Sequence, residues 1–185
     1  MKFRQALITL CAVALLATLG YRWLAPAGLQ HSPDISLMTI KGEKLQLDSY
    51  RGRPLLVTFW ATTCPGCIRE MPHLIELYQE LHPQGLEIIG IAMDYDPPNQ
   101  VLAMSKARAI PYPIALDIQA DAAHAFGDVR LTPTSFLIAP DGRIVYQKTG
   151  EMDMLKIRKE ILAMLTAARA AAASGQGAEA SHDLG

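Results

Sequence analysis

Cys64 and Cys67, within Trp60-Ala61-Thr62-Thr63-Cys64-Pro65-Gly66-Cys67, are two sulfurs separated by two residues. That spacing closes a short disulfide without moving the backbone far, and it equally serves half of a zinc site or a two-thiolate copper site. A run of strand formers, Leu55-Leu56-Val57-Thr58-Phe59, precedes the stretch and a helical pattern follows it, so Cys64 falls at a helix N-terminus. There the positive end of the helix dipole and the unpaired N–H groups stabilise a thiolate. Pro65 suits the first helical position, because it has no N–H to leave unpaired and its φ is already near the helical value. Cys64 is therefore expected to be the exposed nucleophile and Cys67, one turn further in, the resolving thiol, the two closing a Cys64–Cys67 disulfide.

A structural zinc needs two more ligands. The third cysteine, Cys11, lies in an apolar N-terminal run, and no second Cys-X-X-Cys or His pair stands at ligand spacing. No metal and no cofactor are expected, and a dithiol beside a strand–helix–strand pattern points to redox use. Length and charge narrow the classes further. The 185 residues suffice for one domain with a sizeable core plus extensions, and 17 basic against 18 acidic residues leave a net charge of -1. Nucleic acid is not an expected partner, since neutralising phosphates takes clustered Lys and Arg. No internal repeat of solenoid length is present.

The elements that must position the sulfurs follow in chain order. Residues 1–24 start with Lys2 and Arg4 and run apolar from Ala6 to Leu19, ahead of Tyr21, Arg22 and Trp23, which describes a signal peptide or an N-terminal membrane anchor. Either would deliver the domain across a bacterial inner membrane, to face the periplasm as an anchored or a soluble protein. Cys11 reads as a small hydrophobe, since Leu10 stands before it where a lipoprotein wants a small residue. Residues 25–34 carry two prolines and a glycine and read as a linker. Ile35 to Asp48 alternates apolar and polar positions around Lys41-Gly42-Glu43, the pattern of a β-hairpin.

The helix after Cys64 carries Ile68, Met71, Leu74, Ile75, Tyr78 and Leu81 on one face, with Pro72 inside it as an expected kink. Leu86 to Ala92 is a second near-continuous apolar strand, as in a parallel sheet covered on both faces. Asp96 and Pro97 mark a helix start running to about Arg108, Ile114 to Leu116 a short strand, and Ala120 to Phe126 a small helix stopped by Gly127. Strands Ser135 to Ile138 and Ile144 to Gln147 form a hairpin about Pro140-Asp141-Gly142. A last helix starts near Asp153 and holds Met154, Ile157, Ile161, Met164 and Leu165 on one stripe, leaving residues 167–185 as an Ala/Gly-rich tail expected to fray into disorder.

This order is similar to the thioredoxin fold, an α/β fold with a central mixed β-sheet flanked by helices, here with an N-terminal β-hairpin extension. Phe59 through Pro72 and Thr132 through Gly142, the latter reading Thr-Pro-Thr-Ser-Phe-Leu-Ile-Ala-Pro-Asp-Gly, resemble the membrane-anchored thioredoxins of the TlpA and ResA type. The resemblance makes residues 35–166 the thioredoxin-like domain. Two departures stand out: Thr63 occupies a position where the family commonly has Trp, and Pro65-Gly66 is neither Gly-Pro nor Glu-Pro.

The resemblance implies a cis Pro133 lying against the cysteine pair and presenting the backbone of Thr132 to an incoming chain. It also singles out Glu70. Ordinary thioredoxins use a buried Asp on the preceding strand to move protons to the inner cysteine, whereas here that position is Thr58, which cannot titrate. Glu70, three residues after Cys67, looks like the glutamate this group carries, and a carboxylate beside a thiolate in an apolar site raises both pKa values. The function implied is a periplasm-facing thiol:disulfide oxidoreductase, acting as a reductase on exported proteins such as apocytochrome c or oxidase copper-site proteins. Its reductant would be a membrane thiol-electron transporter. Two rivals use the same cysteines. A peroxiredoxin-like thiol peroxidase wants a Thr three residues before the attacking Cys, an offset that neither Thr62 nor Thr63 has from Cys64, and Cys67 finds Cys64 there; a Cu(I) carrier would bind through Cys64 and Cys67 as a dithiolate.

Overall fold

The computed structural model describes residues 31–179, so the signal or anchor segment, Cys11 and most of the linker lie outside it, as do residues 180–185. Among the described residues seven strands and four α-helices follow one another. They are β1 Ser36–Thr39, β2 Lys44–Gln46, β3 Leu55–Trp60, α1 Pro65–Leu81, β4 Glu87–Ala92, α2 Pro98–Ala107, β5 Ile114–Leu116, α3 Asp121–Ala125, β6 Thr134–Ile138, β7 Ile144–Thr149 and α4 Met154–Glu179. Among the described residues no helix is long and apolar enough to cross a membrane.

The strands form one mixed sheet in the order β2-β1-β5-β4-β3-β6-β7. β3, β4 and β5 run parallel, while β6 pairs antiparallel with β3, and β7 with β6. Every residue of β3 and β4 is buried, which is why both read as unbroken apolar runs. Alternate residues of β3 serve opposite layers. Leu56 and Trp60 pack with Met71 and Leu74 of α1 and with Ile157 and Ile161 of α4. Leu55, Val57 and Phe59 pack on the other side with Ile89, Ile91, Phe126 and Phe136. Phe59 meets Phe126 and Phe136 edge-on, with ring centroids 5.4 and 6.0 Å away.

The expected hairpin is present as β1 and β2, and β1 does more than pair with β2. It also lies antiparallel to β5, joining Met38 to Leu116 and Thr39 to Ala115, so the extension is built into the main sheet. α1 runs unbroken through Pro72. Where the segment from Ala167 was expected to fray, α4 continues to Glu179; alanine is the strongest helix former, and it dominates residues 167–173.

Candidate active site

β3 delivers the chain to the site, and α1 begins as soon as it leaves. Cys64 has extended backbone (φ -89°, ψ 108°) and caps α1, its Sγ accepting the Cys67 N–H at 3.1 Å. Pro65 follows at the first helical position, as its fixed φ favours. A sulfur that accepts an N–H at a helix start is one whose negative form is favoured once the disulfide opens. The two cysteines are joined in a disulfide with Cα atoms 5.3 Å apart.

The expectation of an exposed Cys64 needs correcting in degree, since it is 8% exposed against 4% for Cys67. The cause is the neighbouring chain. A Cβ on Gly66 would lie 3.3 Å from the Pro133 ring and 3.4 Å from Glu151, so both close over the first turn of α1. A side chain there would press on the Pro133 ring, which would have to give by a few tenths of an ångström.

Pro133 reaches this place through sheet register. Phe59 pairs with Thr134, which sets the preceding residues of β6 beside the end of β3. The Thr132–Pro133 peptide is cis. Thr134 Oγ1 donates to the Leu131 carbonyl at 2.7 Å, the Gly150 N–H donates to the Pro133 carbonyl at 2.8 Å, and the Tyr95 hydroxyl stands 3.5 Å from Thr132 Oγ1.

Glu70 is on the inner side of α1, only 3% exposed, and its Oε1 accepts the Met152 N–H at 2.7 Å. Burial pushes its carboxyl above the ordinary carboxylate range, the Met152 N–H draws it back, and the charge of Glu151 adds to the rise. Glu151 forms an exposed ion pair with Arg69 and is held low by it. Together with Thr58, Trp60, Cys67, Met71, Leu74 and Tyr112, Glu70 lines a cavity of about 10 Å³. Thr58 accepts a hydrogen bond from Ser135 Oγ at 2.9 Å. Glu70 is thus the one carboxylate on that wall, and Cys67 and Glu70 share it.

Some residues of the site carry no warning in the sequence. Asp96 was expected to start a helix, yet its carboxylate turns back to accept the Thr62 N–H and the Thr62 hydroxyl, each at 2.6 Å. It clamps the turn between β3 and Cys64, and α2 begins without a side-chain cap. An Asp before Pro carries the same signal whether it caps or clamps. Met152 contributes through its backbone, which no sequence pattern marks. Tyr112 sits in a connection between two prolines and looks like a loop residue.

A strand-to-helix turn bearing a capped dithiol, a cis proline against it and a buried carboxylate behind it define a thioredoxin-fold dithiol–disulfide protein. The Redoxin family profile matches residues 27–162. The thiol-disulfide oxidoreductase ResA of Geobacillus thermodenitrificans is 33% identical, with 87% of this chain and 97% of that protein covered. ResA of Halalkalibacterium halodurans is 37% identical, with 71% and 73% covered. Among solved structures, a putative thioredoxin from Neisseria meningitidis superposes with a TM-score of 0.68 at 29% identity, over 73% of this chain and 89% of that one. A thioredoxin-family thiol:disulfide interchange protein from Chlorobium tepidum TLS gives 0.67 at 25% identity, over 76% and 99%. The chain therefore belongs to the redoxin family, in its TlpA/ResA-like thioredoxin group, and is a thiol:disulfide oxidoreductase.

Proposed function

We propose that this protein is a disulfide reductase working outside the bacterial cytoplasm, on exported proteins that carry a disulfide. The Cys64 thiolate attacks one sulfur of the partner's disulfide, giving a mixed disulfide and releasing the other sulfur as a thiolate. Cys67 gives its proton to Glu70 and attacks Cys64; the bond to the partner breaks, the partner leaves with both sulfurs reduced, and the Cys64–Cys67 disulfide closes. Two electrons pass to the partner. During docking the backbone of Thr132, beside the cis Pro133, pairs with the partner chain as a short antiparallel strand.

The single observation that carries the reading is Glu70 buried against the same cavity wall as Cys67, with its carboxyl raised by that burial. A carboxyl whose proton affinity is raised by burial takes and returns a proton more readily than an exposed one, as a base for a buried thiol must. Residues 1–24 hold the domain at the periplasmic face of the inner membrane, or direct it into the soluble periplasm, and a membrane thiol transporter restores the dithiol. Cytochrome c thiols and oxidase copper-site cysteines are the substrate classes this placement suits.

The test is trapping. In cells, Cys67→Ala should accumulate mixed disulfides with exported proteins, resolved by reducing agent, and Cys64→Ala should accumulate none. Adducts on Cys67 in the Cys64→Ala variant, with none on Cys64 in the other, would overturn the assignment of roles.

A further inference from the structure

Four residues, Gly150 to Asp153, join β7 to α4, and each of them is tied down. The Gly150 N–H donates to the Pro133 carbonyl at 2.8 Å, and the Met152 N–H to Glu70 Oε1 at 2.7 Å. Asp153 Oδ1 accepts the Leu155 and Lys156 N–H groups, each at 3.1 Å, and so caps α4. Glu151 is tied by its side chain. Arg69 Nε donates to its Oε2 at 3.4 Å and Arg69 Nη2 to its Oε1, a forked pair that sets orientation as well as distance. The contacts are neighbours in sequence on both elements, Arg69 and Glu70 of α1 against Glu151 and Met152 of the connection.

Without the ion pair this connection has a place to pivot. Gly150 has φ +92°, and nothing lies within 4 Å of where its Cβ would stand, so neither a side chain nor crowding fixes its backbone. The Met152 side chain is buried in the core beside α1 and α4, but an unbranched thioether adapts to a shifted backbone, and its burial alone does not aim its N–H. Glu151 supplies what these two lack. Its Cγ and Oε1 stand 3.4 Å from the place a Cβ on Gly66 would take, so it lies along the first turn of α1 with Arg69 closing over it.

Glu151 acts on Glu70 in two opposed ways. Its negative charge repels the Glu70 carboxylate and favours a proton there, while its hold on Arg69 keeps the Met152 N–H in place, which favours the charge. Exposure decides between them. The Arg69 and Glu151 side chains are 63% and 46% exposed, so water and the guanidinium itself damp the repulsion, whereas the N–H bond lies in the interior and is not damped. The other titratable groups facing Glu70 are Cys67 and His73 from α1, Tyr112 ahead of β5 and Tyr146 from β7. We propose that Glu151 is a positioning residue for Glu70: paired with Arg69, it clasps the connection to α1 and keeps the Met152 N–H on the carboxylate that accepts the Cys67 proton. This role in the reaction rests on Glu70 being that acceptor.

The test is a carbon NMR titration of the Glu70 side-chain carboxyl in the oxidised protein, where the joined cysteines do not titrate and Glu70 is read without coupling to Cys67. Glu70→Gln identifies its signal. The variants are Glu151→Ala, Arg69→Ala and the two together, all on exposed side chains. The clasp and the bare charge predict opposite signs. If the clasp governs, Glu151→Ala titrates at higher pH than wild type, its Glu70 binding the proton about threefold or more tightly as a charge-assisted bond is partly lost. The double variant then also lies above wild type and no higher than the larger single, because both substitutions break one pair. Hydrogen exchange at the Met152 amide quickens in all three. A Glu70 midpoint in Glu151→Ala that is unchanged or lower, or Met152 exchange that stays at the wild-type rate, would overturn the proposal; so would a double variant in which the two shifts cancel. The reading of Glu70 as acceptor is tested apart from this, by alkylation of Cys67 in reduced Glu70→Gln. An unchanged Cys67 profile there would end that reading, and the part of Glu151 in the reaction with it, whatever the midpoint in the oxidised protein does.

Discussion

Glu70 is a carboxyl kept in the protein interior with one backbone N–H and, among the described residues, no ion pair, a placement that raises its proton affinity and costs stability whenever it is charged. The sign follows from linkage. A carboxyl whose folded pKa lies above its unfolded one contributes stability at pH below the unfolded value, and that contribution is lost as pH rises through the folded value. Glu70→Gln, which keeps an acceptor for the Met152 N–H, should therefore unfold at higher temperature than the wild type at neutral pH. The gap should shrink toward zero as pH falls below about 4.3, the ordinary glutamate value. Melting curves across pH check this, and a gap independent of pH would mean that Glu70 is not a perturbed carboxyl. Among the residues that do chemistry, those legible in the sequence were the ones whose neighbours form a local pattern. Cys64, Pro65 and Cys67 sit in one helical turn, and Glu70 lies one turn further on the same side, where the family resemblance singles it out. Asp96, Tyr112 and the Met152 N–H act across the fold, at separations local patterns cannot see.

At the scale of elements, the turn between β3 and α1 is held from outside itself. Asp96, buried, binds both polar groups of the half-buried Thr62, so Asp96→Ala would remove two hydrogen bonds to a charged group that hold the turn. The expected cost is about 1–3 kcal/mol. Urea unfolding measures it, and a loss below a few tenths would show that the clamp is immaterial. β4 makes a comparable contribution through Gly90, where an added Cβ would meet Ile114 Cδ1 at 2.7 Å and the Trp60 indole at 3.2 Å. Ile114 can turn away, but the indole is packed between β4 and α1. Gly90→Ala should thus cost about 1–3 kcal/mol and alter Trp60 fluorescence, whereas an unshifted spectrum with wild-type stability would contradict this packing. The strands and helices around these points were readable from periodicity and caps. The joining of β1 to β5 was not, because pairing between strands some 75 residues apart in sequence leaves no local signature. The far end of α4 was missed for a different reason: alanine reads as small and unburied, yet it favours the helix by itself.

For the whole molecule, the fold sets one pair of sulfurs at the end of a fully buried strand and surrounds it with parts from distant stretches: the Thr132–Pro133 loop, Glu151 and Met152 after β7, and Tyr112 before β5. The proposed direction of electron flow, with this protein as the reductant, is a matter of its potential. At equilibrium in a glutathione buffer poised near about −200 mV, a reductant of this kind should be found mostly as the disulfide. A protein mostly in the dithiol form there would be an oxidant, and the proposed direction of electron flow would be reversed.

The claim beneath all of this is that the two sulfurs differ: one is a ready thiolate at a helix start, the other a buried thiol that depends on Glu70. The most direct measurement is the alkylation rate of each cysteine in the reduced protein across pH, separated by mass spectrometry. Cys64 is expected to react with a midpoint well below the free-thiol value of about 8.5, Cys67 to lag at every pH, and Glu70→Gln to move the Cys67 profile alone. Both cysteines titrating together near the free-thiol value, with no effect of Glu70→Gln, would contradict the account.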